Sequence, residues 1–513
     1  MGAGSVPWHQ SALGSHLVMG AQDRVTFGSH RPENLQTFPK ALQVMPPMPP
    51  QFSALVPVVA QEPAGGIRRQ PSPLNPPSKP LPAPRVPNLI GNPGADTLWG
   101  GSANDTYSAG AGDDLLTASS GNDTISGGAG YDVLDYSKVN ADLSLSRGGV
   151  LIKSGGLGTD TISGFDVEEI RANSTRINTI DGSTGVTASL DVDLSANRLA
   201  INGLPGIGSA SLKVVNFQNV NGSQNADVIV GDDKANVLDG KGGNDAISGG
   251  GGDDTLIGSS GNDVYRGGSG FDTLSYADSA TGVTLVRGGT IIKADGSVDT
   301  VADFSVEAVI GARGVANTID GTTGTTASLA VNLSKETLTI NNLPVIGSAQ
   351  LVVKNFTNVL GSENADSIIG SNGSNVLAGG GGNDVLTGLR GADRLTGGLG
   401  SDTFVFGRGD SLLSGFDQIT DFVIGTDVID GYGMAGSVSG LGFVNALNEL
   451  EIGKVLSNQS FGSNAAVAFG FSADNVSRTF VAFNDGRIGF QAGSDSIVEI
   501  TGFSGSLSNL TVV

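Results

Sequence analysis

The chain has 513 residues, of which 80 are glycine, none is cysteine and only 5 % are aromatic. It carries 28 basic against 50 acidic side chains, which gives a formal net charge of -22. This composition excludes disulfides, thiolate metal sites and a cysteine nucleophile, argues against nucleic acid or anionic membrane as a partner, and favours a cation such as calcium.

Residues 1–90 differ in composition from residues 91–513. They hold 17 of the 20 prolines and seven Lys or Arg against three acids, whereas the rest of the chain holds 21 against 47. Proline removes backbone donors and helical dihedrals, so 1–90 is predicted to be a disordered leader or linker. All three histidines, His9, His16 and His30, lie there and are expected to be solvated.

The sequence also bears on export and membrane insertion. The first residues lack a charged stretch followed by an apolar run, so no Sec-type signal peptide is expected. No segment reaches the roughly 18 consecutive apolar residues of a membrane span.

A nine-residue period begins at Gly91 and recurs in three arrays, 91–136, 222–277 and 361–406. The template is GGxGxDxUx, in which U is a large apolar residue two positions after the aspartate. Asn236 and Asn375 each replace the aspartate once. The aspartates of the period are the predicted calcium ligands: Asp96, Asp105, Asp114, Asp123, Asp132, Asp227, Asp245, Asp254, Asp263, Asp272, Asp366, Asp384, Asp393 and Asp402.

Each position of the template has a physical reason. Glycines permit tight turns whose carbonyl oxygens can face an ion, and the aspartate supplies a carboxylate. The three residues DxU predict a short strand that sends U inward, so two repeats make one coil of a parallel β-roll. Because stacked carboxylates repel one another, calcium binding should supply folding free energy.

Two simpler interpretations fit the repeats less well. A flexible Gly/Ser linker has no reason to keep an apolar residue two positions after every aspartate. An EF-hand at Asp191–Asp193 would lack the glycine and the glutamate of that loop.

The run Gly249–Ile257, Gly-Gly-Gly-Gly-Asp-Asp-Thr-Leu-Ile, resembles the repeats of the RTX (repeats-in-toxin) calcium-binding β-roll. The resemblance implies an all-β fold with several Ca²⁺ ions. It also implies a secreted or cell-surface protein exported in one step by a type I system. It does not select an activity, because RTX proteins include toxins, proteases, lipases, lyases and adhesins.

Segments 137–221 and 278–360, between the arrays, are copies of one another. Arg147–Lys153, for example, returns as Arg287–Lys293. Both spacers show short alternating strands, which predict either further coils of the solenoid or a small sandwich.

The period ends at Phe406, and residues 407–513 form a different C-terminal module. Its segment 416–430 resembles the part that closes the β-roll in serralysin-type proteases, where Asp421 and Asp427 either complete a last calcium site or cap the roll without metal. The whole module resembles the bluetail domain at the end of cyanobacterial surface proteins. Its apolar end would suit a type I export signal or a plain edge strand.

No catalytic site is predicted. A serralysin-type zinc site or a Ser-His-Asp triad needs histidine, and none follows His30. Glu169 and Glu307 are interpreted as matching structural positions of the two spacers. We therefore expect a secreted or surface calcium-binding structural protein, with calcium ions as its partners, that folds on external calcium. An adhesin or matrix component whose spacers bind polysaccharide or other surface proteins is the alternative, and a glycan-active enzyme using paired carboxylates is the third.

Overall fold

The computed structural model describes residues 88–185, 187–324, 326–344, 346–431, 436–456, 461–462, 465–473, 476–500 and 502–513. The predicted disordered segment and its three histidines lie outside these residues, except for Asn88–Ile90. Those three residues form a strand paired with Thr106–Ser108, so the prediction of disorder to residue 90 is wrong at its end. Leu89 precedes Leu98 by one period and packs against the same apolar core.

Successive strands of array one belong alternately to two parallel sheets. Sheet one contains β1, β3 and β5, and sheet two contains β2, β4 and β6. Strands one coil apart are in register, with Tyr107 beside Ile125 in sheet one and Leu116 beside Leu134 in sheet two. All four side chains are fully buried because the alternation of the strand sends them inward. The strands are β1 (Asn88–Ile90), β2 (Thr97–Trp99), β3 (Thr106–Ala111), β4 (Leu115–Thr117), β5 (Thr124–Ala129) and β6 (Val133–Asp135).

The first spacer continues both sheets, as the solenoid alternative predicts. A three-stranded antiparallel meander, β7–β9, joins sheet one between β5 and β11, and a second, β12–β14, joins sheet two between β10 and β16. The strands are β7 (Leu143–Ser146), β8 (Val150–Lys153), β9 (Gly158–Ile162), β10 (Glu169–Arg171), β11 (Thr179–Asp181), β12 (Ser189–Asp193), β13 (Arg198–Leu204), β14 (Gly208–Val215) and β15 (Asn219–Asn221), with a 3₁₀ turn at Ser154–Gly156.

Array two returns to two short strands in each coil. Its strands pair 18 residues apart, as Leu256 beside Leu274 and Ile247 beside Tyr265. They are β16 (Val228–Val230), β17 (Val237–Asp239), β18 (Ala246–Gly251), β19 (Thr255–Ile257), β20 (Val264–Ser269) and β21 (Thr273–Ser275).

The second spacer places its meanders in the opposite order. Its first, β22–β24, joins sheet two and its second, β27–β29, joins sheet one, because array two ends in sheet one whereas array one ends in sheet two. The strands are β22 (Val283–Val286), β23 (Thr290–Lys293), β24 (Val298–Val301), β25 (Ala308–Ile310), β26 (Thr318–Asp320), β27 (Ser328–Asn332), β28 (Thr337–Leu343), β29 (Gly347–Lys354) and β30 (Asn358–Leu360), with a 3₁₀ turn at Leu333–Lys335.

Array three and the C-terminal module end the solenoid. Antiparallel strands extend sheet two beyond β36, where Phe480 and Ile497 form a second apolar cluster with Ile452 of the helix. The elements are β31 (Ser367–Ile369), β32 (Val376–Gly381), β33 (Val385–Thr387), β34 (Arg394–Leu399), β35 (Thr403–Phe406), β36 (Asp417–Ile419), β37 (Val428–Gly431), β38 (Gly436–Ser437), β39 (Ser439–Val444), α1 (Glu449–Val455), β40 (Ala466–Ala473), β41 (Val476–Phe483), β42 (Ser496–Ile500), the 3₁₀ turn Leu507–Asn509 and β43 (Thr511–Val512).

The described residues are thus nearly all β, built as parallel β-rolls. Within them, no helix has the length and apolar character needed to span a bilayer.

Candidate calcium-binding ladder

The predicted aspartates lie directly before the short strands, and thirteen of the fourteen are buried, with Asp96 half-exposed. They stack between coils in a hydrogen-bonded ladder. The backbone amide of Asp245 donates to Oδ1 of Asp263 over 2.9 Å, and that of Asp384 to Oδ1 of Asp402 over 2.9 Å. Ten of the fourteen carboxylates are held in this way by the amide of the residue 18 positions earlier.

Nine of the predicted aspartates keep one buried carboxylate oxygen without a hydrogen-bond partner. An unpartnered buried carboxylate oxygen is costly, because it has lost water and gained nothing in return. The nine residues are Asp105, Asp114, Asp132, Asp245, Asp254, Asp272, Asp384, Asp393 and Asp402.

In seven of the nine repeats, the first glycine faces this oxygen. A Cβ on Gly249 would overlap Oδ2 of Asp254 and lie 2.5 Å from the carbonyl oxygen of Gly267 in the next coil. A Cβ on Gly397 would likewise overlap Oδ2 of Asp402. The absence of a Cβ thus lets a carboxylate oxygen and a carbonyl oxygen lie close to each other beside the glycine, and both are donors that calcium prefers.

The side chains alone do not make a metal site. Among the described residues, no group of three or more acidic or histidine side chains converges on one point. The nine aspartates would therefore each contribute a carboxylate oxygen, and turn carbonyls would supply most of the remaining ligands. On this donor set the ladder fits a hard, oxygen-preferring cation.

Burial also changes the protonation of the ladder. Loss of water, together with the charges of Asp263 and Asp227, raises the pKa of Asp245 to about 8. Burial likewise raises the pKa of Asp384 to about 7 and that of Asp254 to about 6. A nearby divalent cation would oppose these increases by favouring the charged form.

The other five predicted ligands keep no buried, unpartnered oxygen. The two oxygens of Asp227 both accept from Ser223, Oδ2 from its backbone amide over 2.5 Å and Oδ1 from its hydroxyl over 2.9 Å. Ser362 donates to Asp366 through the same two groups. Oδ2 of half-exposed Asp96 accepts from the amide of Asn92. The remaining two, Asp123 and Asp263, face lysines.

The asparagines that replace aspartate satisfy the ladder by themselves. Asn236 accepts from the amide of Asp232 over 2.8 Å and donates to the carbonyl of Gln218 over 2.8 Å. Asn375 makes the equivalent bonds to the amide of Ser371 and the carbonyl of Thr357. The side-chain amide supplies the donor that these carbonyls need, so an ion is not required there.

The ladder continues through residues that the nine-residue period did not select. Asp160, Asp299 and Asp417 accept from the amides of Asp123, Asp263 and Asp393. Each of the three also precedes an apolar residue by two positions, in Asp-Thr-Ile, Asp-Thr-Val and Asp-Gln-Ile, so the DxU signal alone could have found them.

The structure also corrects the pairing of the spacer glutamates. Glu168 and Glu307 hold matching places, because their Oε2 atoms accept from the amides of Asp132 and Asp272 at 2.7 and 2.8 Å. Glu169 instead pairs with Arg171 and Lys213. The interpretation of Glu169 and Glu307 as equivalent was wrong by one residue.

Asp421 and Asp427 behave as caps. The two oxygens of Asp421 accept from the amides of Gly397 and Gly398 at 3.0 and 2.8 Å. Those of Asp427 accept from Asp402 and Val423. Of the two alternatives for this segment, these contacts favour capping without metal.

Comparison with known families agrees with arrays one and two. Residues 88–116, 99–134, 221–256 and 239–274 match the RTX calcium-binding nonapeptide repeat in four copies. Residues 347–492 match the C-terminal domain of the peptidase M10 serralysins. The chain therefore carries RTX repeats, which bind Ca²⁺ ions, and a serralysin-type C-terminal domain.

The other comparisons add little. No curated protein matches the chain. Among solved structures, the extracellular lipase LipA from Serratia marcescens is 16 % identical with a TM-score of 0.16, and the match covers 56 % of this chain and 40 % of the lipase. The chain thus matches less than half of the lipase's length, and nothing about function follows from this likeness.

Proposed function

We propose that this chain is a secreted, non-enzymatic structural protein whose β-rolls close when they meet calcium outside the cell. The observation that carries the proposal is the set of nine buried aspartates with one unpartnered oxygen, stacked in three arrays. Buried carboxylates that carry the same negative charge and lack partners destabilise the metal-free roll. Binding of calcium to these oxygens would remove this loss of stability.

The residues of the ladder have separate parts in this function. Carboxylates such as Asp254 and Asp272 hold neighbouring coils together through one oxygen and offer the other as a ligand. The first glycines let the carboxylate and carbonyl oxygens come close together between coils, and the inward apolar residues, such as Leu256, form the core once the coils stack. Calcium would supply the positive charge that lets the carboxylates stay ionised when buried.

Export and location follow from the same proposal. At low cytosolic calcium the chain would stay unfolded and suited to one-step export. At the roughly 10⁻⁴ to 10⁻³ M range of extracellular calcium modules the rolls would close. The serralysin-type domain over 347–492 supports type I export. Surface attachment through the bluetail-like region 407–513 is part of the proposal.

The adhesin alternative assigns polysaccharide binding to spacers 137–221 and 278–360. A glycan array probed with the calcium-loaded full chain tests it, and binding lost in chelator would support it. For the enzyme alternative, turnover of a glycan that a single carboxylate-to-amide change abolishes would overturn the non-enzymatic assignment.

The central test is far-UV circular dichroism of the full chain during a calcium titration, with magnesium as the control. We expect a cooperative gain of β signal with calcium and little change with magnesium, which prefers six-coordinate sites with several waters. A chain that is already β-rich in chelator and unchanged by calcium would contradict the proposal.

A further inference from the structure

Each spacer sends a lysine back into the end of the array that precedes it. The side chain of Lys153 is fully buried. Its Nζ lies 2.5 Å from Oδ1 of Asp160, 2.8 Å from the carbonyl oxygen of Ser119 and 3.7 Å from Oδ2 of Asp123. The ammonium group thus meets two ladder carboxylates and a turn carbonyl at once.

The second copy repeats this arrangement in the other sheet. Nζ of Lys293 lies 2.6 Å from Oδ1 of Asp299 and 3.6 Å from Oδ2 of Asp263. It also lies 2.7 Å from the carbonyl oxygen of Ser259 and 2.6 Å from that of Gly261. These are the oxygen types, carboxylate and turn carbonyl, that line the open spaces elsewhere in the ladder.

The carboxylates around the lysines are also fully partnered. The remaining oxygen of Asp160 accepts from the hydroxyl of Tyr136 over 2.6 Å, and that of Asp299 from Tyr276 over 2.5 Å. Oδ2 of Asp263 accepts from Tyr265 and Ser259. In the two ladder steps that face the lysines, no buried carboxylate oxygen is left for a metal, unlike at the nine open aspartates.

Array three ends differently. Its last ladder step joins Asp393 to Asp417, and each of these carboxylates keeps an unpartnered oxygen. Within the described residues, neither forms an ion pair with a lysine or arginine. In the described part of the chain, a lysine beside the ladder therefore occurs where arrays one and two lead into a spacer, and not at the end of array three.

We propose that Lys153 and Lys293 are built-in cations that take the place of calcium in the ladder steps that join Asp123 to Asp160 and Asp263 to Asp299. This inference rests on the calcium ladder of the proposed function. Asp123 and Asp263 are then lysine partners rather than calcium ligands, and these two ladder steps close without metal. Each of these two arrays binds one ion fewer than its repeats predict.

The test counts bound calcium in the full chain by isothermal titration calorimetry and native mass spectrometry. Lys153→Ala and Lys293→Ala each leave two carboxylates facing an emptied oxygen-lined space. We expect each variant to bind one more calcium ion than the wild type, and the double variant two more. Each should also need a higher calcium concentration than the wild type to reach its full β signal. Lys335→Ala, at an exposed lysine, is the control and should change neither count nor spectrum.

A second pair of variants keeps the proposal testable if the alanine variants do not fold. Asp123→Asn should leave the calcium count unchanged, whereas Asp254→Asn should lower it. An unchanged count in folded Lys→Ala variants, or a count lowered by Asp123→Asn, overturns the lysine assignment while the wild type still binds calcium. A wild type that binds no calcium overturns the proposed function itself.

Discussion

The backbone amide of Asp254 donates to Oδ1 of Asp272 over 2.8 Å, while Oδ2 of both carboxylates is buried without a partner. One oxygen of each residue therefore joins successive coils, and the other is left for a ligand. Because the same side chain both stacks the coils and carries the buried charge, folding of the roll and binding of a cation should be one equilibrium.

The first prediction compares two neighbouring aspartates of one repeat. Asp254→Asn should raise the calcium concentration at the folding midpoint about tenfold, ~1.4 kcal/mol, because it removes one charged ligand and puts an amide in the open space. Calcium titrations followed by circular dichroism measure the midpoint.

Asp253→Asn is its matched control. Asp253 is exposed, and its Oδ1 accepts from the amide of Phe271, a bond that asparagine keeps. The control removes the same formal charge one residue away, so an equal shift in both variants would mean that net charge, rather than ligation, sets the midpoint.

The second prediction concerns two adjacent glycines. A Cβ on Gly100 would lie 2.6 Å from Oδ2 of Asp105 and 2.8 Å from Oγ of Ser119, whereas a Cβ on Gly101 would have nothing within 4 Å. Gly100→Ala should lower the thermal midpoint of the calcium-loaded chain, at a cost of about 1–3 kcal/mol for overpacking. Gly101→Ala should leave it nearly unchanged, and equal losses would contradict a steric role for the first glycine.

The third prediction is a reversal of pH dependence by calcium. The pKa of Asp245 is raised to about 8 and that of Asp393 to about 7 in the roll, above the values near 4 expected in the unfolded chain. The folded state therefore binds these protons more tightly. The stabilisation is complete below about pH 4 and is lost as pH rises through about 7 to 8.

Circular dichroism of the full chain in chelator should thus show a β signal that grows as pH falls from about 8 to about 5. In saturating calcium, the thermal midpoint should instead fall over the same range, because protons compete with the ion for the carboxylates. Asp245→Asn, which cannot titrate, should flatten the pH dependence in chelator. A chelator signal independent of pH would show that these carboxylates stay ionised in the roll.

The fourth prediction tests the C-terminal module. The guanidinium of Arg478 pairs with buried Glu499 through both of its branches, and its Cζ lies 5.3 and 5.2 Å from the ring centroids of Phe416 and Phe480. Arg478→Lys keeps the charge but loses the planar fork and stacking, and should cost about 1–2 kcal/mol.

Thermal melts in saturating calcium measure this loss. Arg198→Lys is the control, because Arg198 pairs with Asp191 at the surface, where ion pairs contribute about 0–1 kcal/mol. An equal change in both variants would show that the two phenylalanine rings beside Arg478 add nothing to stability.

Much of the fold could be predicted from the sequence, because its rules are local. The spacing from each aspartate to its apolar partner, as from Asp254 to Leu256, defines a strand, an inward side chain and a turn within nine residues. Calcium as ligand follows from the same repeat. The duplicated spacers were also visible, although their alternating pattern fits a sandwich as well as a coil.

The sequence by itself thus determined the β-roll, its period and its preference for calcium. Tertiary structure decided which carboxylates remain open, because an oxygen's partner lies one coil away. Lys153 reaches Asp123 across 30 positions of sequence, and the amide of Leu190 reaches Oδ1 of Asp227 across 37. Whether an aspartate binds a metal depends on what else fills the space between two coils, and that is a property of the stack rather than of the repeat.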